Sequence, residues 1–351
     1  MSRYHTLKIS AIDRLTDAAI KITFEVPGNL KETFLFKAGQ YLSLKTNIDG
    51  NEIRRDYSIC SSVNSGDLSI AVKAVKDGTF SNYANQKLSV GSAIEVMPPQ
   101  GRFIFEHHPD KTRTIAAFAA GSGITPILSI GKTLLEEEPF SNFILVYGNK
   151  SAKDTMFLNE LIKLKDTYGN RFHLHQIYSQ EREPDCLFGR IEKSTVNLIV
   201  KNKYQGVNIE GFYLCGPEAM INTVKDVLVE NGVRNQQIKF ELFTASTPID
   251  NVTQAASSEE TTIKVIVDEE ETEFVMQKSQ TILEAALKKD IDAPYSCQGG
   301  ICSSCVGRIT EGSATMKQNN ILTDSEVAEG LVLTCQACPT SDYIVVDYDD
   351  V

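Results

Sequence analysis

Residues 295–306 read YSCQGGICSSCV, and residues 333–339 read LTCQACP. Cys297, Cys302 and Cys305 stand in a C-x4-C-x2-C spacing with Cys335 downstream, the arrangement in which one loop gives three thiolates to a [2Fe-2S] cluster and a distant segment gives the fourth. Each iron needs two thiolates, so such a loop wraps the cluster and turns backbone N–H groups toward the sulfurs. Gly299 and Gly300 permit that close wrapping. Ser296, Ser303 and Ser304 are small side chains able to donate to sulfur and tune the cluster. A structural zinc site normally shows two separated C-x2-C pairs, and here Cys338 is the single cysteine three residues from the fourth ligand. Cys338 reads as a buried, inert thiol.

Working outward, 351 residues suggest two or three domains. No apolar run reaches the ~20 residues of a membrane helix, and the start, MSRYHTLKIS, lacks the apolar core of a signal peptide. Eight cysteines, four of them assigned to a cluster, do not read as a disulfide framework, so a cytoplasmic location is expected. The net charge is −11, and residues 262–351 hold 16 acidic and 6 basic residues, a net of −10. That balance excludes a nucleic-acid partner. It suits either steering of a basic protein partner or solubility alone.

Upstream, Ile20, Ile22, Phe24 and Val26 alternate with polar residues, as in a half-buried strand. Further short strands at 41–44, 57–59, 68–75 and 94–96 are separated by turns such as Asp49-Gly50 and Asp77-Gly78, which predicts an antiparallel β-barrel over residues 1–108. From Thr114 to Ala120 the chain is continuously apolar, as a buried parallel strand would be. Strands near 143–147, 171–178, 212–214 and 238–243 alternate with helical stretches near 126–135, 154–164 and 219–228, predicting an α/β domain with a parallel sheet over 109–243. Residues 244–261 almost lack large apolar side chains and read as a linker to an α+β domain over 262–351. In that domain a hairpin surrounds Asp268–Glu271, and Thr281 caps a short helix.

Two further constellations carry chemistry. Arg55-Asp56-Tyr57-Ser58 offers a cation for phosphate, a ring for stacking and a hydroxyl for a ring nitrogen, while Gly78 and Ser81 offer donors at a helix start. Gly121-Ser122-Gly123-Ile124-Thr125-Pro126 follows a buried strand, with Thr125 placed as an N-cap and Pro126 at the first helical position. Pro126 replaces the third glycine of G-x-G-x-x-G. A second turn, Cys215-Gly216-Pro217, closes another strand and is placed to flank a nicotinamide.

In this order the motifs resemble the ferredoxin–NADP reductase superfamily with a plant-type ferredoxin domain, of β-grasp fold, fused at the C-terminus. The likeness covers essentially the whole chain, and its C-terminal stretches are most similar to the branch that serves phenylacetyl-CoA epoxidases. The resemblance implies that Arg55, Tyr57, Ser58, Gly78 and Ser81 bind FAD, with Val72 and Lys73 bordering it through their backbone. It implies that Gly121, Gly123 and Thr125 hold the nicotinamide nucleotide, that Cys215, Gly216 and Pro217 lie near its ring, and that Glu241 and Phe243 lie beside the flavin. Where relatives carry a Ser-Arg pair for the 2′-phosphate, Ser179 is followed by Gln180, leaving Lys150 and Arg182 as the available cations and both NADPH and NADH open, with NADPH expected. The implied activity is that of an NAD(P)H-dependent oxidoreductase of phenylacetate catabolism: electrons pass from NADPH through FAD and the cluster to a separate oxygenase, with no general acid or base required. A reductase for another oxygenase, hydroxylase or desaturase has the same layout, and a non-catalytic iron–sulfur redox sensor is the alternative of another class.

Overall fold

The computed structural model describes residues 4–243, 259–295 and 297–351. The chain divides into two compact units at Phe243/Thr244.

The first unit opens with six antiparallel strands: β1 (His5–Thr16), β2 (Ala19–Glu25), β3 (Tyr41–Ile48), β4 (Asn51–Ser58), β5 (Leu68–Lys73) and β6 (Ala93–Val96). They lie in the order β4-β3-β6-β1-β2-β5. The two ends of that row meet where Ile59 pairs with Ile70 and the Cys60 N–H donates to the Ser69 carbonyl at 2.8 Å, which closes the sheet into a barrel. The expected alternation fills the interior: Ile20, Ile22 and Phe24 face Leu7, Ile9, Leu42, Leu44, Val72 and Val96. Helix α1 (Thr79–Lys87) follows β5 and buries Phe80, Ser81 and Ala84.

A six-stranded parallel sheet completes this unit: β7 (Thr114–Ala120), β8 (Asn142–Asn149), β9 (Phe172–Tyr178), β10 (Leu187–Phe188), β11 (Ile209–Gly216) and β12 (Ile238–Leu242), ordered β10-β9-β8-β7-β11-β12. All its pairings are parallel. Ile115, Ala117 and Ala119 of β7 share a core with Ile127 and Leu134 of α2 (Ile124–Glu137) and Leu161 of α3 (Leu158–Tyr168). Ala116 and Phe118 alternate to the other face, and α4 (Lys193–Asn197) and α5 (Glu218–Glu230) pack on one another. The expected helix at 154–164 begins later, at Leu158, because Ala152–Asp154 form a separate 3-10 turn and Phe157 takes a left-handed backbone (φ 61°).

The second unit has five strands ordered β14-β13-β19-β15-β17: β13 (Glu260–Val267), β14 (Glu270–Gln277), β15 (Val306–Glu311), β17 (Leu331–Leu333) and β19 (Tyr343–Asp347). A small pair, β16 (Ala314–Met316) and β18 (Ala337–Pro339), lies beside them. β13 and β19 run parallel at the centre, and β14 pairs antiparallel with β13 around Asp268 and Glu269, both of positive φ. Helix α6 (Ile282–Leu287) is capped as expected, the Glu284 N–H donating to Thr281 Oγ1 at 3.3 Å. A further short helix, α7 (Asp324–Ala328), opens on a capping box between Thr323 and Glu326. The first strand begins at Glu260, two residues inside the segment expected to be linker; residues 244–258 of that segment lie outside the described residues.

Candidate functional site: two nucleotide-type crevices and a thiol cradle

The parallel sheet places the glycine turns. β7 is followed in space by β8, β9 and β10 on one side and by β11 and β12 on the other, so strand order reverses between β7 and β11. In open α/β sheets the crevice at the C-terminal ends of the two strands flanking such a reversal binds ligands. Gly121–Gly123 leave the end of β7 there, and Cys215–Pro217 leave the end of β11. The two turns are packed against each other: a Cβ on Gly123 would lie 2.2 Å from the Cys215 carbonyl oxygen, so only glycine fits. Gly121 has φ +55°, and its carbonyl accepts from Tyr147 Oη at 2.9 Å. Tyr147 was not singled out from sequence; a tyrosine within a buried apolar run, whose hydroxyl requires a partner, is the signal that could have found it. Thr125 is not the N-cap. Residues Gly121–Gly123 already form a 3-10 turn that leads directly into α2, so Thr125 lies inside the helix with its hydroxyl donating to the Ser122 carbonyl at 3.1 Å.

Lys150 and Arg182 leave the same sheet edge. The Ser179 N–H donates to the Asn149 carbonyl at 3.0 Å and the Gln180 N–H to the Lys150 carbonyl at 2.9 Å, holding the two exits side by side. Both side chains are exposed.

On the barrel, Arg55 is exposed with Nη1 donating to the Arg54 carbonyl at 2.6 Å, Tyr57 is half-buried with its ring 5.4 Å from that of Phe80, and Ser58 is buried. Burial pushes the Tyr57 hydroxyl pKa up, opposed by Arg55. Ser58 Oγ donates to Glu241 Oε2 at 3.0 Å, so the barrel motif meets the end of the parallel sheet. Burial pushes the Glu241 carboxyl up to about 8, with Asp56 adding to the rise and Ser58 opposing it. Glu241 also pairs in register with Cys215, whose thiol burial pushes well up; Phe243 is 40% exposed. One expectation needs revision: Gly78 presents no N–H to a ligand, since it donates to the Val75 carbonyl at 3.1 Å, whereas Ser81 Oγ accepts from the Val75 N–H at 3.3 Å and keeps its own proton to donate. Val72 is fully buried and its carbonyl accepts from Asn85 Nδ2 at 3.1 Å, whereas Lys73 approaches the Gly121 turn with its side chain, its Nζ 4.0 Å from where a Gly121 Cβ would stand.

In the second unit the four cysteines fall in two neighbouring pairs, Cys297 with Cys302 and Cys305 with Cys335. The Cys302 contact holds the Cys297 thiol down at about 6, against burial and aided by the backbone N–H groups of Gly299, Ile301 and Cys302. Gly299 N lies 3.3 Å from Cys297 Sγ. Cys335 is likewise lowered by Cys305 and by the Gly300 N–H, while Cys305 is raised by its neighbour Cys335 and by burial. Among the described residues no three ligating side chains converge as a single ion would require. Two adjoining thiol pairs under donated N–H groups fit a two-iron cluster, which spreads four thiolates over two metals. Gly300 has φ +70° and room for no Cβ without pressing on Gln336 and Gln318. The second pair is built by the sheet: Val306 pairs with Leu333, and the Thr334 N–H donates to the Cys305 carbonyl at 3.0 Å. Cys338 stands apart on β18, half-buried, its Sγ 3.8 Å from the Ser279 carbonyl and its pKa raised by burial. Ser296 lies outside the described residues.

A barrel with a phosphate-and-ring motif, a parallel sheet with its switch-point crevice and a four-thiol loop together define a flavin- and nicotinamide-dependent iron–sulfur oxidoreductase. Three family models match in the same order: the oxidoreductase FAD-binding domain over residues 6–105, the oxidoreductase NAD-binding domain over 118–226 and the 2Fe-2S iron-sulfur cluster binding domain over 265–340. The chain is 38% identical to a component of the 1,2-phenylacetyl-CoA epoxidase of Escherichia coli K12, covering 99% of both. It is 30% identical to the ferredoxin reductase component of the 3-ketosteroid-9-alpha-monooxygenase of Rhodococcus rhodochrous, covering 99% of this chain and 97% of that one. Its fold matches that of phthalate dioxygenase reductase with a TM-score of 0.61 at 24% identity over 98% of each chain. The chain belongs to the family of FAD-, nicotinamide- and [2Fe-2S]-dependent reductase components of oxygenases. No helix among the described residues is long and apolar enough to cross a membrane.

Proposed function

We propose that this reductase delivers its electrons to a phenylacetyl-CoA epoxidase. The end-to-end 38% identity with a component of that enzyme supports the reading most directly. When bound, the coenzyme supplies electrons in pairs, FAD divides them, and the cluster hands them on singly. The residues that would serve these groups are those gathered at the crevices. Arg55, Tyr57 and Ser58 would hold FAD, with Gly78 shaping the turn before α1 and Ser81 pinning it. Gly121, Gly123, Gly216 and Pro217 would admit the dinucleotide, Lys73 would offer it an ammonium from the barrel, and Lys150 and Arg182 would favour NADPH over NADH. Ser58 and Glu241, joined by a hydrogen bond, would hold or release a proton near the flavin, because burial pushes the Glu241 carboxyl up to about 8. Cys297, Cys302, Cys305 and Cys335 would ligate the cluster. The domain limits that accompany this reading are 1–108, 109–243 and 262–351, with a cytoplasmic location. Reconstitution with the oxygenase components of a phenylacetyl-CoA epoxidase tests it: NADPH-dependent epoxide formation is expected, and support of a ketosteroid hydroxylase but not of the epoxidase would overturn the partner assignment.

A further inference from the structure

Phe188 is 52% exposed on the two-residue strand β10, at the rim of the parallel sheet. The Arg182 guanidinium carbon lies 4.2 Å from the centre of its ring. Glu181, Glu183 and Asp185 flank Arg182 in sequence, yet no carboxylate among the described residues pairs with it, and Glu181 instead accepts from the Ala152 N–H at 3.3 Å. A guanidinium bound by an acid presents its N–H edge to that acid. A guanidinium resting on a ring through its central carbon engages its face, and its in-plane donors stay available to an anion. Arginine also has a floppy stem, and contact with a ring removes part of that freedom before a ligand arrives. The position suits a phosphate. Phe188 pairs in register with Tyr178, and the backbone bonds that follow Tyr178 tie its loop to Lys150, so Arg182 and Lys150 leave the sheet at the edge that also carries Gly121–Gly123.

We infer that Phe188 is a positioning residue that holds Arg182 ready for the 2′-phosphate of NADPH, and so sets coenzyme choice. This rests on the nucleotide-site reading above. Phe188 touches no reacting atom; it acts through Arg182.

Equilibrium titration of the FAD-loaded protein with 2′,5′-ADP and with 5′-AMP separates the possibilities without turnover. Wild type is expected to bind 2′,5′-ADP more tightly. Phe188→Leu should weaken 2′,5′-ADP about two- to fivefold, the worth of an exposed cation–π contact, and leave 5′-AMP unchanged; Phe188→Trp should restore the lost affinity. Arg182→Ala should weaken 2′,5′-ADP at least about tenfold, and adding Phe188→Leu to it should change nothing more. Unchanged 2′,5′-ADP binding in Phe188→Leu, equal weakening of both ligands, or a Phe188 effect that persists without Arg182 overturns the inference. Equal wild-type affinity for the two ligands overturns it while leaving the reductase reading intact. Failure of both to bind overturns the nucleotide-site reading with it.

Discussion

Replacing Cys302 by Ser removes the thiol beside Cys297, and with it one of the four proposed ligands. Cys302→Ser is expected to abolish the visible cluster absorbance while FAD remains bound, because the two sites lie in separate compact units. Retained absorbance would show that the ligands are misassigned. Cys338→Ser should leave iron content unchanged, since its thiol lies against Ser279 and outside both pairs; halved iron would contradict this. Glu241 supplies a pH prediction. Its folded pKa of about 8 stands above the ordinary carboxyl value of 4.5, so the folded state binds a proton that the unfolded state has released between those limits. The contribution is full at low pH and is lost as pH rises through about 8. Glu241→Gln, neutral throughout, should flatten the fall in melting temperature between about pH 5 and 8. An unchanged slope in that variant would mean that Glu241 is charged in the fold.

At the scale of elements, the Gly123 contact is the most exposed to test. A Cβ there must displace the Cys215 backbone, which cannot swing aside as a flexible side chain would. Gly123→Ala is expected to cost about 1–3 kcal/mol by overpacking and to weaken dinucleotide binding; thermal melts and coenzyme titration measure both, and wild-type values in both would show that β7 and β11 are less tightly joined than described. The elements also show how far sequence carries. Alternation in Ile20–Val26 and the apolar run Thr114–Ala120 announced the two sheets, because burial on one face or two leaves a direct imprint on residue order. Cys297 to Cys335 announced the thiol cradle because ligand spacing is chemistry written in the chain. Thr125 misled because a glycine turn reads as loop, whereas Gly121–Gly123 already wind as helix and move the start upstream. Gly78 misled because its N–H is used within its own turn, a bond that residue order does not announce. Phe188 carried no signal at all: a two-residue strand has no period, and its partner Arg182 lies in the irregular segment that leads into it.

Across the whole molecule the charge is lopsided, with a net of −10 on residues 262–351 and −1 on the remainder. Exposed charge acts chiefly on encounter rate, and salt screens it beyond about 8 Å at physiological ionic strength. Electron delivery to the oxygenase should therefore slow as salt rises, while NADPH-dependent reduction of a small neutral dye changes little. Stopped-flow measurement across a salt series compares the two, and equal responses would show that the acidic surface serves solubility alone.

The two thiol pairs differ in what they require of the chain. Cys297 and Cys302 share one loop, so a short stretch of chain suffices to bring them together. Cys305 and Cys335 meet only because β15 and β17 pair and Thr334 bonds back to the Cys305 carbonyl. The first pair therefore depends on one loop and the second on the β15–β17 pairing, so a change that weakens that pairing is expected to separate Cys305 from Cys335 while leaving Cys297 beside Cys302.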